Sequence, residues 1–560
     1  MPSTSHDQCS VGSAATTLSP SCSAEEFYPL WSIYDPSLPK REPAQLSSVV
    51  AFFMTRGDRI LNRLPAWLQR LTWRAFAPTS APCPDHNILS GDIAELSQKG
   101  ILRFILDKAA AYQSQIGTEK VQDRDAGCCG SVSSHASATR PPWILFRMGP
   151  VPAMLTLDMD TTMKILLSRD VKRGLAYSRL TQFFGYGIFT SRVPSRWRYQ
   201  RDIIIDLFRR SSLEAMAVTL YTGMLDEVRK ASERSKGQSL DFVLLLSRMG
   251  LIAFCDAALG VDVRDMSDEL AGPINRLLTY INGALELICV PFGEAYQKFM
   301  VDRNFVHEWM RRLMRRVRKQ AREGVDQGLR IKETPLSRAI LDLDDPKRDE
   351  EVVEFMISMV LGGHETTARL MLGGFYALLR HPHYIERIRA EMKSYLDSGR
   401  AEPLDYRCYS ENRMPFLRLV VEESLRLYPP VWLLARCPVV DLEIGGHTIP
   451  KGTEIFISPM ILQRQKAVWG KDAEFFRPER FKELSIEQLR MFRPFVAGPE
   501  QCPGREFAKV ESMLAFAGLF HHFDIRLSDP NQREQPTSAG TFRLFRELFV
   551  TIHPRKISPQ

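Results

Sequence analysis

Ten residues near the C-terminal end constrain the fold more than any other stretch: Phe495-Val496-Ala497-Gly498-Pro499-Glu500-Gln501-Cys502-Pro503-Gly504. A single cysteine sits in a loop of Gly and Pro. Directly behind it Phe507, Ala508, Val510, Met513, Leu514, Phe516, Leu519 and Phe520 recur at helical spacing, which predicts a helix beginning just after Cys502. The unpaired N–H groups and dipole of such a helix favour thiolate over thiol. Gly498 and Gly504 allow backbone shapes and close approaches that a side chain blocks. Phe495 can pack beside the sulfur. Taken alone, a loop cysteine of this kind is more often structural than a ligand.

A second apolar run, Val352 to Leu379, has helical period and predicts one long, mostly buried helix of about 45 Å at 1.5 Å rise per residue. Its middle reads Gly362-Gly363-His364-Glu365-Thr366-Thr367. Two glycines and two threonines weaken a helix locally. Either a packing kink or a flat ligand lying on the backbone accounts for them. The Thr366 hydroxyl can bond a carbonyl of the previous turn, bending the helix and opening a groove. A buried Glu365 can be tuned for proton transfer, and His364 receives no role. Upstream, Trp197 and Arg201 share a helix face. Downstream, Glu423 and Arg426 can pair on a helix that Pro429-Pro430 stops. Arg436 follows in Leu433-Leu434-Ala435-Arg436, and Arg480 in Pro478-Glu479-Arg480-Phe481.

In this order, W-x-x-x-R, G-G-x-E-T-T, E-x-x-R, P-E-R-F and F-x-x-G-x-x-x-C-x-G resemble the cytochrome P-450 superfamily of heme-thiolate monooxygenases, over roughly residues 140–555. The resemblance implies a mainly α fold with small β-sheets, in a single heme-binding catalytic domain. It implies heme (iron protoporphyrin IX) with Cys502 as axial ligand, a thiolate that promotes O–O cleavage. Phe495, Gly498 and Gly504 would shape the ligand loop, and Gly362 and Gly363 would let the heme lie close. Trp197, Arg201 and Arg436 would hold the propionates. Glu365 and Thr366 would be the acid–alcohol pair that delivers protons, and Glu423, Arg426 and Arg480 a structural triad locking the cysteine loop. Two positions depart from the family. Glu500 stands where Arg or His usually binds a propionate, so that contact is lost or inverted. Gln463-Arg464 stands where His-Arg is usual.

The implied reaction inserts one oxygen atom of dioxygen into a lipophilic small molecule, fatty acyl or terpenoid-like. No Gly-rich βα unit for flavin or nicotinamide is present, so electrons come from a separate partner, an NADPH-cytochrome P-450 reductase. Two rivals stay open. One is a heme-thiolate isomerase or dehydratase, against which the Glu365-Thr366 pair argues. The other is a non-catalytic heme-binding protein, to which Glu500 lends weight.

The net charge of +8 suits an anionic membrane or an acidic redox partner. No zinc-finger or nucleic-acid motif accompanies it, so nucleic acid is not an expected partner. Ten cysteines without a disulfide framework point to a reducing compartment. Residues 1–45 read as a disordered Ser/Thr-rich tail. Residues 46–77 form a basic amphipathic segment, either interfacial on a membrane or packed on the protein; its apolar runs fall short of the roughly 20 residues of a spanning helix. Residues 91–560 form the catalytic domain, with an inserted loop at 117–141. The expected location is the cytoplasmic face of the endoplasmic reticulum membrane, or the cytoplasm. Smaller expectations are a hairpin over Trp143 to Leu157, a Gly445-Gly446 hairpin, a closing hairpin or strand pair over 541–555, and a solvated basic face around Arg311–Arg322.

Overall fold

The computed structural model describes residues 101–111, 143–148, 151–191, 193–285, 294–326, 334–539 and 541–556. The expectations for 1–45, 46–77 and 117–141 lie outside these residues. Helices dominate, as the resemblance implied. α1 (Pro194–Leu207) opens on a proline, whose fixed φ suits a first turn. α2 (Phe242–Phe254) is apolar nearly all round. Among the described residues, Phe242–Leu259 is the span long and apolar enough to cross a membrane, and 78% of it is buried, the mark of a core helix. α3 (Glu294–Asp326) carries the basic run. Arg311, Arg312 and Arg316 pair there with Glu350, Glu269 and Asp265, so the face is solvated and ion-paired.

The single helix expected over Val352–Leu379 is two. α4 (Asp349–Val360) places Asp349, Glu350 and Glu351 at its positive end. A π turn, Leu361–Glu365, joins it to α5 (Thr366–Arg380). One widened turn is how a helix absorbs an extra residue, frequently at a functional site. α6 (Pro415–Leu427) stops just before the proline pair, and α7 (Arg505–His522) follows the cysteine loop. Phe375 of α5 ties three helices into one core. Its ring centroid lies 5.2, 4.8 and 5.3 Å from Phe242, Phe516 and Phe520, in edge or tilted contacts.

The largest sheet has the order β1-β2-β8-β5-β3, formed by β1 (Trp143–Met148), β2 (Val151–Thr156), β3 (Val171–Arg173), β5 (Leu434–Pro438) and β8 (Glu454–Ile457). β1 and β2 make the expected hairpin, Trp143 opposite Thr156. β3 and β5 run antiparallel with Arg173 opposite Arg436. β6 (Leu442–Ile444) and β7 (His447–Ile449) form the Gly-Gly hairpin; Gly445 and Gly446 have φ of 59° and 78°, as a type I′ turn requires. The end of the chain corrects the sequence reading. β11 (Thr541–Arg543) pairs with β10 (Thr537–Ala539), whereas β12 (Phe549–Pro554) lies between β4 (Leu240–Asp241) and β9 (Phe523–Leu527). Val550 and Ile552 are fully buried there, so apolar burial sends the two closing strands to different sheets.

Candidate active site

The cysteine loop closes on itself through two backbone bonds. The Cys502 N–H donates to the Phe495 carbonyl at 3.1 Å, and that of Gln501 to Gly498 at 3.0 Å. Gly498 has φ of +78°, and a Cβ there would stand 2.7 Å from the Leu166 carbonyl oxygen, so only glycine serves. Phe495 is half-buried against the core. Cys502 is accessible, but from an internal cavity, with protein around it. Burial pushes its thiol up and outweighs the Gly504 N–H and the charges of Arg201 and Arg505, which pull it down. The helix start therefore does not by itself yield a thiolate, contrary to the sequence expectation. Desolvation is the larger effect, and only metal coordination would deprotonate this sulfur outright.

That cavity measures about 370 Å³, a small-molecule size. Cys502, Phe495, Gly504, Trp197, Arg201, Arg436, Gly362, Gly363, Glu365 and Thr366 all line it. Ten residues spread over some 300 positions thus converge on one space. Gly498 does not line it and acts through the loop backbone. Phe184 and Leu278 also line the cavity. Phe183 is fully buried behind them, and Tyr186 points to solvent.

The π turn lines the same cavity. Thr366 Oγ1 donates to the Gly362 carbonyl at 2.7 Å, the back-bond anticipated from sequence. Glu365 is buried and ion-paired with Arg369 at 2.9 Å and Arg543 at 3.6 Å. Burial pushes its carboxyl up, but the charges of Arg369, Arg543 and His364 prevail and hold it below the ordinary range. A carboxyl tuned upward for proton donation is therefore not what stands here; Glu365 is an anchored carboxylate. Gly363 also needs correction. A Cβ there would meet the Phe254 ring at 2.2 Å, so contact with α2 demands this glycine, whatever the cavity holds. His364 Nδ1 donates to the Val360 carbonyl at 2.6 Å.

Charge gathers at one end of the cavity. Arg201 donates to the Gln501 carbonyl. The Trp197 indole N–H is buried without a partner among the described residues, which is costly unless a ligand acceptor meets it. Arg173, which sequence reasoning missed, lines the same wall; its three-residue strand has no period to read. Glu500 sits between Arg173 and Arg436, with Oε1 3.2 Å from Arg173 Nε and Oε2 3.0 Å from Arg436 Nη2. Its place is thus inverted rather than empty. A soft sulfur donor, apolar walls, an orphaned indole N–H and three arginines fit a flat amphiphilic group bearing a metal and carboxylates, as heme does.

Glu423, Arg426 and Arg480 lie outside the cavity and are buried together. Arg426 meets Glu423 at 2.7 and 2.8 Å; Arg480 Nε is 3.5 Å from the same carboxylate. Arg426 also donates to the carbonyls of Gln463, Ala473 and Phe475. Gln463, given no role from sequence, carries this order onward. Its amide donates to Leu425 and Arg426 carbonyls and accepts from the Arg493 N–H at 3.0 Å. The Arg493 carbonyl then accepts from Val496 in the cysteine loop.

Residues 134–548, well over half the chain, match the model of the family described as Cytochrome P450. A cytochrome P450-like protein of Acanthamoeba polyphaga mimivirus is 37% identical over 84% of this chain and 90% of its own length. Leukotriene-B4 omega-hydroxylase 3 of Mus musculus is 28% identical over 71% of this chain and 80% of its own. A cytokinin hydroxylase of Arabidopsis thaliana is 25% identical over 73% and 78%.

Proposed function

The chain belongs to the cytochrome P450 family, whose members are monooxygenases that bind heme through a cysteine thiolate, and on that premise we propose that it hydroxylates a long-chain fatty acyl or similarly lipophilic substrate. The observation that carries the substrate class is the cavity wall. Leu180, Phe184, Phe189, Leu278, Met359 and Leu370 line it, and its arginines cluster at one end, leaving a mostly apolar remainder into which Glu365 and Thr366 also face. The leukotriene-B4 omega-hydroxylase of mouse is in keeping with this.

In this reading Cys502 would hold the heme iron through its sulfur, and Trp197, Arg201 and Arg436 would hold the heme carboxylates. The bound heme supplies reductive activation of dioxygen. The protein supplies position, dryness and protons. Phe495 and the α7 start wall off the sulfur. Thr366, whose hydroxyl hydrogen is held by Gly362, offers its oxygen lone pairs to a water in the groove. Glu365, kept ionised by Arg369 and Arg543, accepts a hydrogen bond from that water and fixes its orientation. Electrons come from a separate NADPH-dependent reductase, and the basic chain works at the cytoplasmic face of the endoplasmic reticulum membrane.

The reduced, carbon monoxide-bound protein should show the strongly red-shifted Soret band of a thiolate ligand, and Cys502→Ser should abolish it. A band at the position of neutral axial ligands overturns the assignment of Cys502. Thr366→Ala should lower product formed per electron consumed; an unchanged ratio removes Thr366 from the proton route. A chain-length series of fatty acids should shift the resting heme spectrum, and silence across the series rejects the substrate class.

A further inference from the structure

We propose that the clamp for the heme carboxylates is charge-swapped in this protein: β3 supplies the missing cation as Arg173, and the cysteine loop supplies an anion, Glu500, that positions Arg173 and Arg436. This rests on the reading of the cavity as a heme site.

Arg173 and Arg436 stand directly opposite each other on antiparallel strands, where like charges repel. Glu500 relieves this by giving one oxygen to each guanidinium. Both arginines are largely buried while the carboxylate is one-third exposed. The arginines are therefore the fixed partners and the glutamate a bridge between them. The bridge leaves donors over. Arg173 spends one N–H on the Ile188 carbonyl and Arg436 one on its neighbour Ala435; among the described residues neither has a further acceptor for its remaining N–H groups. Both line the cavity.

The charge count agrees. Arg173, Arg201 and Arg436 bring three positive charges and Glu500 one negative, a surplus of two at this end of the cavity. Heme carries two carboxylates. An arginine at position 500 would make that surplus four and remove the bridge, so replacing Glu500 by the residue type usual in the family should weaken the clamp. Glu500 is a positioning residue, and Arg173 a binding residue.

The test is a charge-reversal cycle on the holoprotein, read as the rate of heme loss to an excess of a high-affinity apo-globin, with the carbon monoxide spectrum checking the sulfur ligand in each variant. Arg173→Glu should speed heme loss by about a hundredfold, the scale of a broken, partly buried charge pair. Glu500→Arg should speed it about tenfold, roughly the loss of one good ionic contact. The double variant, Arg173→Glu with Glu500→Arg, should recover most of the loss and keep the thiolate spectrum, which a merely misfolded pair would not. If the double variant loses heme as fast as Arg173→Glu, or if Glu500→Arg alone holds heme more tightly than the parent protein, the swapped clamp is wrong. A parent protein without thiolate-bound heme would instead overturn the heme reading, and this inference with it.

Discussion

Two of the clusters in which one glutamate meets two arginines, Glu423–Arg426–Arg480 and Arg173–Glu500–Arg436, are opposites. In Glu423–Arg426–Arg480 every N–H of Arg426 has a protein acceptor: two go to Glu423 and three to carbonyls of Gln463, Ala473 and Phe475. Arg426 and Glu423 are fully buried. In Arg173–Glu500–Arg436 each arginine gives one contact to the carboxylate and one to a carbonyl, and both face a cavity. Burying charge requires that its donors be consumed. Arg426 in the first cluster spends all its donors on the protein, which marks it as architecture. The second keeps donors in reserve, which is what a binding site does. The same residue types thus serve stability or recognition according to where their remaining hydrogen-bond capacity points.

The contrast is open to measurement. Breaking the closed cluster with Glu423→Ala leaves two buried guanidinium groups short of charge and should cost about 3–5 kcal/mol in chemical denaturation. A cost no larger than that of Glu500→Ala would erase the distinction drawn here.

A buried carboxyl without compensation sharpens it from the other side. Glu511 of α7 is fully buried, and burial pushes its carboxyl from 4.5 up to about 8. The nearby Thr367 hydroxyl, which would favour the charged form, donates instead to the Gly363 carbonyl at 3.0 Å. With the folded value above the unfolded one, the unfolded chain ionises first as pH rises. The stability tied to this proton is complete below about pH 4.5 and falls away up to about pH 8. Glu511→Gln, which keeps the shape without the charge, should therefore gain on the parent protein by about 3–4 kcal/mol between pH 5 and pH 8. Melting curves at the two pH values decide it; a difference that does not grow with pH means Glu511 is charged at neutrality.

Glu500→Ala should lower fold stability by about 1 kcal/mol or less, in keeping with its partial exposure, while its effect on heme loss remains visible. Smallest of all, Arg315→Ala breaks a pair with Glu308 whose side chains are 62% and 51% exposed. It should shift denaturation by less than about 0.5 kcal/mol.

Legibility in the sequence followed the range of the interactions. Glu423 and Arg426 are three residues apart on one helix, and Trp197 and Arg201 four apart, so helical period alone puts each pair on a common face. Glu365 and Arg369 have the same four-residue spacing, and that pair was equally readable, though overlooked. Arg543 was not: it reaches Glu365 from 178 positions away, on a strand whose partner the sequence did not reveal. The π turn escaped because Gly, Thr and Glu are compatible with either helical geometry. Gly363 was read toward a ligand because nothing in its neighbours along the chain announces Phe254.

What the sequence determined by itself is the order of its motifs, the mainly helical character, and which residues meet at the cavity: Cys502, Glu365, Thr366 and most of the arginines. These rest on local spacing, which covalent geometry and hydrogen bonding convert directly into faces and loops. What only the tertiary structure decided is the electrostatic state of those groups: a thiol raised by burial, a carboxylate lowered by two arginines, and a glutamate turned from an apparent defect into a bridge between opposing strands. Charge in a protein interior depends on every neighbour within a few ångströms, and those neighbours arrive from all parts of the chain.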